Sequence, residues 1–308
     1  MIQIPQSSIR SHNRTHFFKY TSASVAKIIF TNRTLRWSSP ILFKDPFDVH
    51  RELGPNVSPA NVLSAGAPFF LKRLAETLGI KLTPNVLSAF LDETNASIPN
   101  PPEAFLGFEK TMIMLKQIWR ELICKLRILC LSERPDIASM WAHYANNNGG
   151  VVLRFECSDF NDSPLLVAKP TNYSAKLPAF ATAEGWAEGL RQSVTPDQID
   201  IFKEYCYLKT TDWKTEQEWR VVSLANEHET GLYSDWRFRA STLSEIIFGH
   251  QIDQQDRRDI LSMLSHDFHH VRAFDAVLGS GNKFYFQEVL RSHSANMLKD
   301  ESKLACKN

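Results

Sequence analysis

Two rhythms of apolar spacing alternate along the first fifty residues. Phe17-Phe18-Lys19-Tyr20 reads as a short strand. From Ser22 to Phe30 the apolar positions Val25, Ile28 and Ile29 fall on one face of a helix. Leu35-Arg36-Trp37 reads as a second strand, closed by Ser39-Pro40, and Asp45-Pro46-Phe47-Asp48 as a turn. Residues 50–127 change character and predict helices. Ser58-Pro59 and Thr83-Pro84 each pair an N-cap residue with proline at the first helical position. Asn-Val-Leu-Ser-Ala follows each of them, at Asn61–Ala65 and Asn85–Ala89, which reads as two similar helix starts rather than an internal repeat. A loop spans Asn95–Pro102. The longest helix is predicted over Phe105–Leu126, with a stripe of Met112, Leu115, Ile118, Trp119 and Leu122.

Beyond residue 127 short strands return. Ile128–Leu131, Val151–Phe155, Trp219–Leu224 and Leu243–Phe248 are predicted strands, with Val271–Phe274 and Lys283–Phe286 as the last two. Asp136–Tyr144 and about Asp253–Leu264 read as helices, and 175–210 as mainly helical, with Thr195-Pro196 as a further cap. Asn146–Gly150 is a turn of residues that tolerate positive φ. The order lacks regular βαβ alternation and predicts an α+β fold. The expected layout is a polar tail over 1–15, one domain over 16–290 with a helical insertion at 50–127, and a polar tail over 291–308.

Composition changes this picture little. A hydrophobic share of 43% and a charged share of 22% are those of a globular protein with a sizeable core. The net charge of +1 gives no long-range field for nucleic acid or membrane. The five cysteines, an odd number without a CxxC, suggest neither a disulfide framework nor a zinc knuckle. With no signal peptide and no spanning segment, the expected location is cytoplasmic, with no membrane partner.

Candidate chemistry centres on Glu216-Gln217-Glu218-Trp219-Arg220. On a strand, period two sets Glu216, Glu218 and Arg220 on one face and Trp219 on the other. Such a face is either solvated or part of a cleft in which a carboxylate steadies positive charge, with Arg220 on a carboxylate or a phosphate. Trp141 reads as a core anchor, whereas His143 and Tyr144, beside the glycine turn, suit either core or cleft. Lys19, Tyr20, Thr21 and Ser22 end the first strand, where hydroxyls suit ribose or the tyrosine simply packs. Asp45 and Asp48 suit a turn cap or a second carboxylate site. His266, His269 and His270 lack further identifiable ligands, and no metal is expected. No Walker A, GxGxxG, GxSxG or HExxH occurs.

Four segments together resemble a bacterial family known as domain of unknown function 2971: FFKYTS at 17–22, LRWSSPILFKDPFD at 35–48, ILCLSERPDIASMWAHYANNNGGVVLRF at 128–155 and LKTTDWKTEQEWRVV at 208–222. LSEIIFGHQI at 243–252 fits the same pattern. The layout also resembles, more distantly, the ADP-ribosyltransferases. Lys19-Tyr20-Thr21 stands where their His-Gly-Ser strand lies, Tyr144 before the glycine turn takes the place of their second-motif tyrosine, and Glu218 that of their catalytic glutamate. This resemblance implies a split antiparallel or mixed β core and an enzyme that consumes NAD as substrate. ADP-ribose would go to a macromolecular acceptor or to water, as in a toxin or phage-defence effector. Glu218 would be catalytic, Glu216 would position acceptor or ribose, and Lys19, Tyr20, Thr21, His143, Tyr144 and Arg220 would bind the nucleotide. Two rival readings are a non-catalytic nucleotide- or partner-binding sensor and a metal-dependent nuclease using Asp45, Asp48, Glu216 and Glu218.

Overall fold

The computed structural model describes residues 9–45, 48–54, 56–62, 64–66, 103–160, 163–175, 181–191, 205–281 and 283–289. The chain opens with strand β1 (His16–Thr21) and helix α1 (Ala23–Asn32). The Ser22 side chain caps α1 by accepting from Val25 N, and Arg33 ends it in the left-handed region. Strand β2 (Thr34–Ser38) returns. Helix α2 (Glu103–Lys125) leads directly into β3 (Leu126–Ser132), then α3 (Ala138–Tyr144) and β4 (Val151–Glu156). Short strands β5 (Lys169–Pro170), β6 (Asn172–Tyr173) and β7 (Leu208–Lys209) flank helix α4 (Ala183–Arg191). Strands β8 (Glu218–Leu224), β9 (Tyr233–Arg237) and β10 (Leu243–Phe248), helix α5 (Gln254–Asp267), β11 (Arg272–Leu278) and β12 (Phe284–Glu288) complete the described chain.

Among the described residues ten strands form one sheet in the order β12-β11-β10-β4-β1-β3-β2-β9, with β8 on β3 and β5 on β8. Its pairs are antiparallel except β10 with β11. The centre of the sheet, around β3, is buried on both faces. Leu129 and Leu131 pack with Phe17, Leu153 and Ile246 beneath α1 and α5, whereas Ile128 joins Trp119 and Ile123 on the other side. Two-sided burial is why Ile128–Leu131 of β3 reads as an apolar run.

One irregularity positions the site. Along its whole length β3 pairs with β8, from Leu126↔Leu224 to Ser132↔Glu218. Its other edge meets β1 only at Phe18↔Ser132 and β2 only at Ser38↔Ile128. Between these bridges β1 and β2 diverge, and Lys19 Nζ reaches into the gap to donate to the Cys130 carbonyl at 2.9 Å.

Among the described residues, the expected strands and helices outside 175–210 are present to within a few residues. Asp48 N donates to Asp45 O, as a turn requires, and Asn146, Asn147 and Asn148 all have positive φ. In the α2 stripe Met112, Leu115 and Trp119 are buried, but Ile118 is exposed and Ile123 takes the inner position. Residues 9–15, expected to be loose, are tied down: Ser11 N donates to Leu166 O, Cys157 N donates to Thr15 O, and Arg10 pairs with Asp159 at 3.1 Å. The Thr83 and Thr195 helix starts and the 291–308 tail lie outside the described residues, and 175–210 is described only in part. No helix of the described residues is long and apolar enough to cross a membrane.

Candidate functional site

A cavity of about 620 Å³ occupies the split between β1 and β2. Lys19, Tyr20, His143, Tyr144, Glu216 and Glu218 all line it, drawn from three separate stretches of chain. Phe18, Phe43 and Trp213 add apolar walls, and Arg36, Lys44, Asp45, Asp48 and Lys209 add charge. Trp213 stands 5.7 Å from the His143 ring, edge to face, across one side.

The floor is a buried charge network. Lys209 Nζ lies 2.6 Å from Glu216 Oε2, 2.9 Å from Glu218 Oε2 and 3.5 Å from Asp48 Oδ2. Arg220 donates from Nε to Glu218 Oε1 at 2.9 Å and from one terminal nitrogen to Asp48 at 2.7 and 2.8 Å. Its other terminal nitrogen donates to the Cys206 carbonyl. Every member is buried, which removes the reading of a solvated sheet face. Glu216 is not on the strand. It ends a short 3-10 turn, and Gln217, at φ 46°, swings the chain so that Glu216 and Glu218 close on Lys209 from two sides. Trp219 faces away as expected, packing 5.3 Å from Phe17.

Three carboxylates against two cations leave one net negative charge at the cavity floor when all are ionised. The carboxyls are pushed in different directions. Burial alone would raise Glu218, but the charges of Arg220 and Lys209 outweigh it and hold the group well below its usual range. Burial raises Glu216, with Lys209 offsetting only part of the effect. Burial likewise raises Asp48 against the pull of Arg220. Lys209 is desolvated too, yet the surrounding carboxylates raise it and keep it charged. Glu218 and Asp48 have both oxygens engaged, whereas Glu216 Oε1 makes no hydrogen bond of ordinary geometry. The polar group facing the Glu216 carboxylate is the Tyr144 phenol, itself raised by burial.

The other sequence-derived candidates fall in different places. Tyr20 lines the cavity, but its hydroxyl already donates to Arg134 O and accepts from Ile137 N. Thr21 is buried away from the cavity, and Arg220 lies beneath the floor, on carboxylates rather than facing a ligand. Asp48 is both turn residue and network member. Of the nuclease reading's carboxylates, Asp48, Glu216 and Glu218 converge, but on Lys209 and Arg220, whereas Asp45 is a lining residue of the same cavity. Among the described residues no group of metal-ligating side chains is arranged for an ion, and His270 Nε2 sits instead at 3.0 Å from Ala240 O. Sequence reasoning missed Lys209. Its signal was its place in the 208–222 segment, but a single lysine between Leu208 and Thr210 gives no hint of burial until the carboxylates around it are located.

Fold and floor define an α+β protein with a split, mostly antiparallel sheet and a buried charge network beneath an aromatic cavity. Residues 140–221 match the model of the family described as "Protein of unknown function (DUF2971)", which bears out the first resemblance. The match takes in Tyr144, Lys209, Glu216, Glu218 and Arg220. No curated protein and no solved structure matches the chain.

Proposed function

We propose that the cavity is the active site of an NAD-consuming enzyme with an ADP-ribosyltransferase-like fold. The observation that carries this reading is the convergence of Lys19, Tyr144, Glu216 and Glu218 on one cavity whose floor sets three carboxyls against two cations. NAD carries a cationic nicotinamide, an aromatic ring system, ribose hydroxyls and a diphosphate. Trp213, Phe43 and Tyr144 offer faces for the rings. Lys19 and the exposed Lys44 bring positive charge to the cavity for the diphosphate.

The two glutamates take separate roles. When the bond from nicotinamide nitrogen to ribose breaks, its electron pair leaves with neutral nicotinamide and positive charge develops on the ribose. Glu218, held ionised by Arg220 and Lys209, is the fixed negative centre that favours this charge. Glu216, raised by burial and facing the Tyr144 phenol, is suited to take the proton of the attacking water or acceptor hydroxyl. Groups whose proton affinities are pushed apart in one site commonly divide labour in this way. Incubating the purified chain with NAD and following nicotinamide tests the reading. Release supports it, whereas binding without release points to the sensor alternative.

A further inference from the structure

Behind the same strands lies a second chamber, which we propose binds a small apolar carboxylate such as an arylalkanoate or short acyl anion. Strand alternation places it there. Arg36 and Ser38 of β2 and Ile128 and Cys130 of β3 face the front cavity, whereas Leu35, Trp37 and Leu129 line a chamber of about 260 Å³ behind them. Phe155, Leu165, Trp236 and Phe238 complete its apolar wall. Its size is just below that of pockets that take drug-sized molecules, roughly 300–1,000 Å³, and so suits a small ligand.

The mouth gives the chamber its chemistry. Arg237, at the end of edge strand β9, and Arg239, just after it, line both the chamber and a wider hollow outside it that also holds Arg33 and Asp267. Arg33 is paired with Asp267 at 2.8 Å. Among the described residues no carboxylate pairs with Arg237 or Arg239, and both are exposed. Two guanidinium groups at the entrance of an aromatic chamber fit a ligand with an apolar body and an anionic head, because guanidinium donates to carboxylate in a matched fork. The Trp37 and Trp236 rings, 4.6 Å apart, supply faces for an aromatic body.

Isothermal titration with 3-phenylpropionate and its neutral amide tests this site without reference to NAD. The acid is expected to bind at least about tenfold more tightly than the amide, the scale of one charge-assisted contact. The double variant Arg237→Gln/Arg239→Gln changes only exposed side chains and should lower the acid to the affinity of the amide. Leu165→Phe, which fills the chamber, should weaken both ligands. The proposal is overturned if wild type does not bind the acid, if acid and amide bind equally, or if either variant leaves acid binding unchanged.

Discussion

At the scale of single residues the decisive feature is that charge is buried and paired. Arg220 is fully enclosed, with donors spent on Asp48, Glu218 and the Cys206 carbonyl. Arg220→Met leaves Asp48, Glu216 and Glu218 sharing Lys209 as the network's one remaining cation and should cost about 3–5 kcal/mol in denaturant unfolding, the usual scale for breaking a buried ion pair. Acid titration separates the glutamates. Glu218 lies below its ordinary value of 4.5 in the fold, so the stability it brings is complete above that value and is lost as pH falls toward the folded value. Glu216 lies above 4.5 in the fold, so the folded state takes up its proton first. Its contribution therefore rises as pH falls from the raised value to 4.5 and is constant below. Melting temperature against pH should show a shallower acid loss in Glu218→Gln, and in Glu216→Gln no gain on mild acidification. Identical profiles for wild type and both variants would contradict this assignment.

At the scale of elements the front wall depends on the turn after α3. Gly150 has no room for a side chain: a Cβ there would collide with the Thr21 carbonyl and lie 2.9 Å from Ala145 O. The turn thus locks the end of β1 against the end of the helix that carries Tyr144. Gly150→Ala should destabilise the fold by about 1–3 kcal/mol, as overpacking does, and shift Tyr144. Urea unfolding measures the first effect and nucleotide affinity the second. This turn was legible in the sequence because Asn146–Gly150 is built of residues that accept positive φ. Strands β1, β3, β4 and β10 were legible because each buries a run of apolar residues. Strand β9 was not, since Tyr-Ser-Asp-Trp-Arg forms a largely exposed sheet edge with little apolar periodicity. Strands β5, β6 and β7 have two residues each and leave no pattern to read.

At the scale of the molecule the site arises from the failure of β1 and β2 to pair fully with β3. That gap is a property of register and cannot be read from any one strand. What the sequence did carry was the order of the chemically marked segments, and these line one cavity. The identity of the network was half visible. Glu216, Glu218 and Arg220 stood out by their spacing, but their burial and their dependence on Asp48 and Lys209 emerge only when chain segments far apart in sequence meet.

The central claim is that the net negative floor drives cleavage of NAD, and Glu216→Gln tests it with least disturbance. Glu216 has a single cation partner in the network, and glutamine keeps its size. The substitution removes both the proton acceptor and the net charge of the floor. Nicotinamide release should fall about 100- to 1,000-fold in kcat, with little change in KM and a cooperative melt retained. A wild type that releases no nicotinamide, or a folded Glu216→Gln variant that releases it at the wild-type rate, would contradict the account.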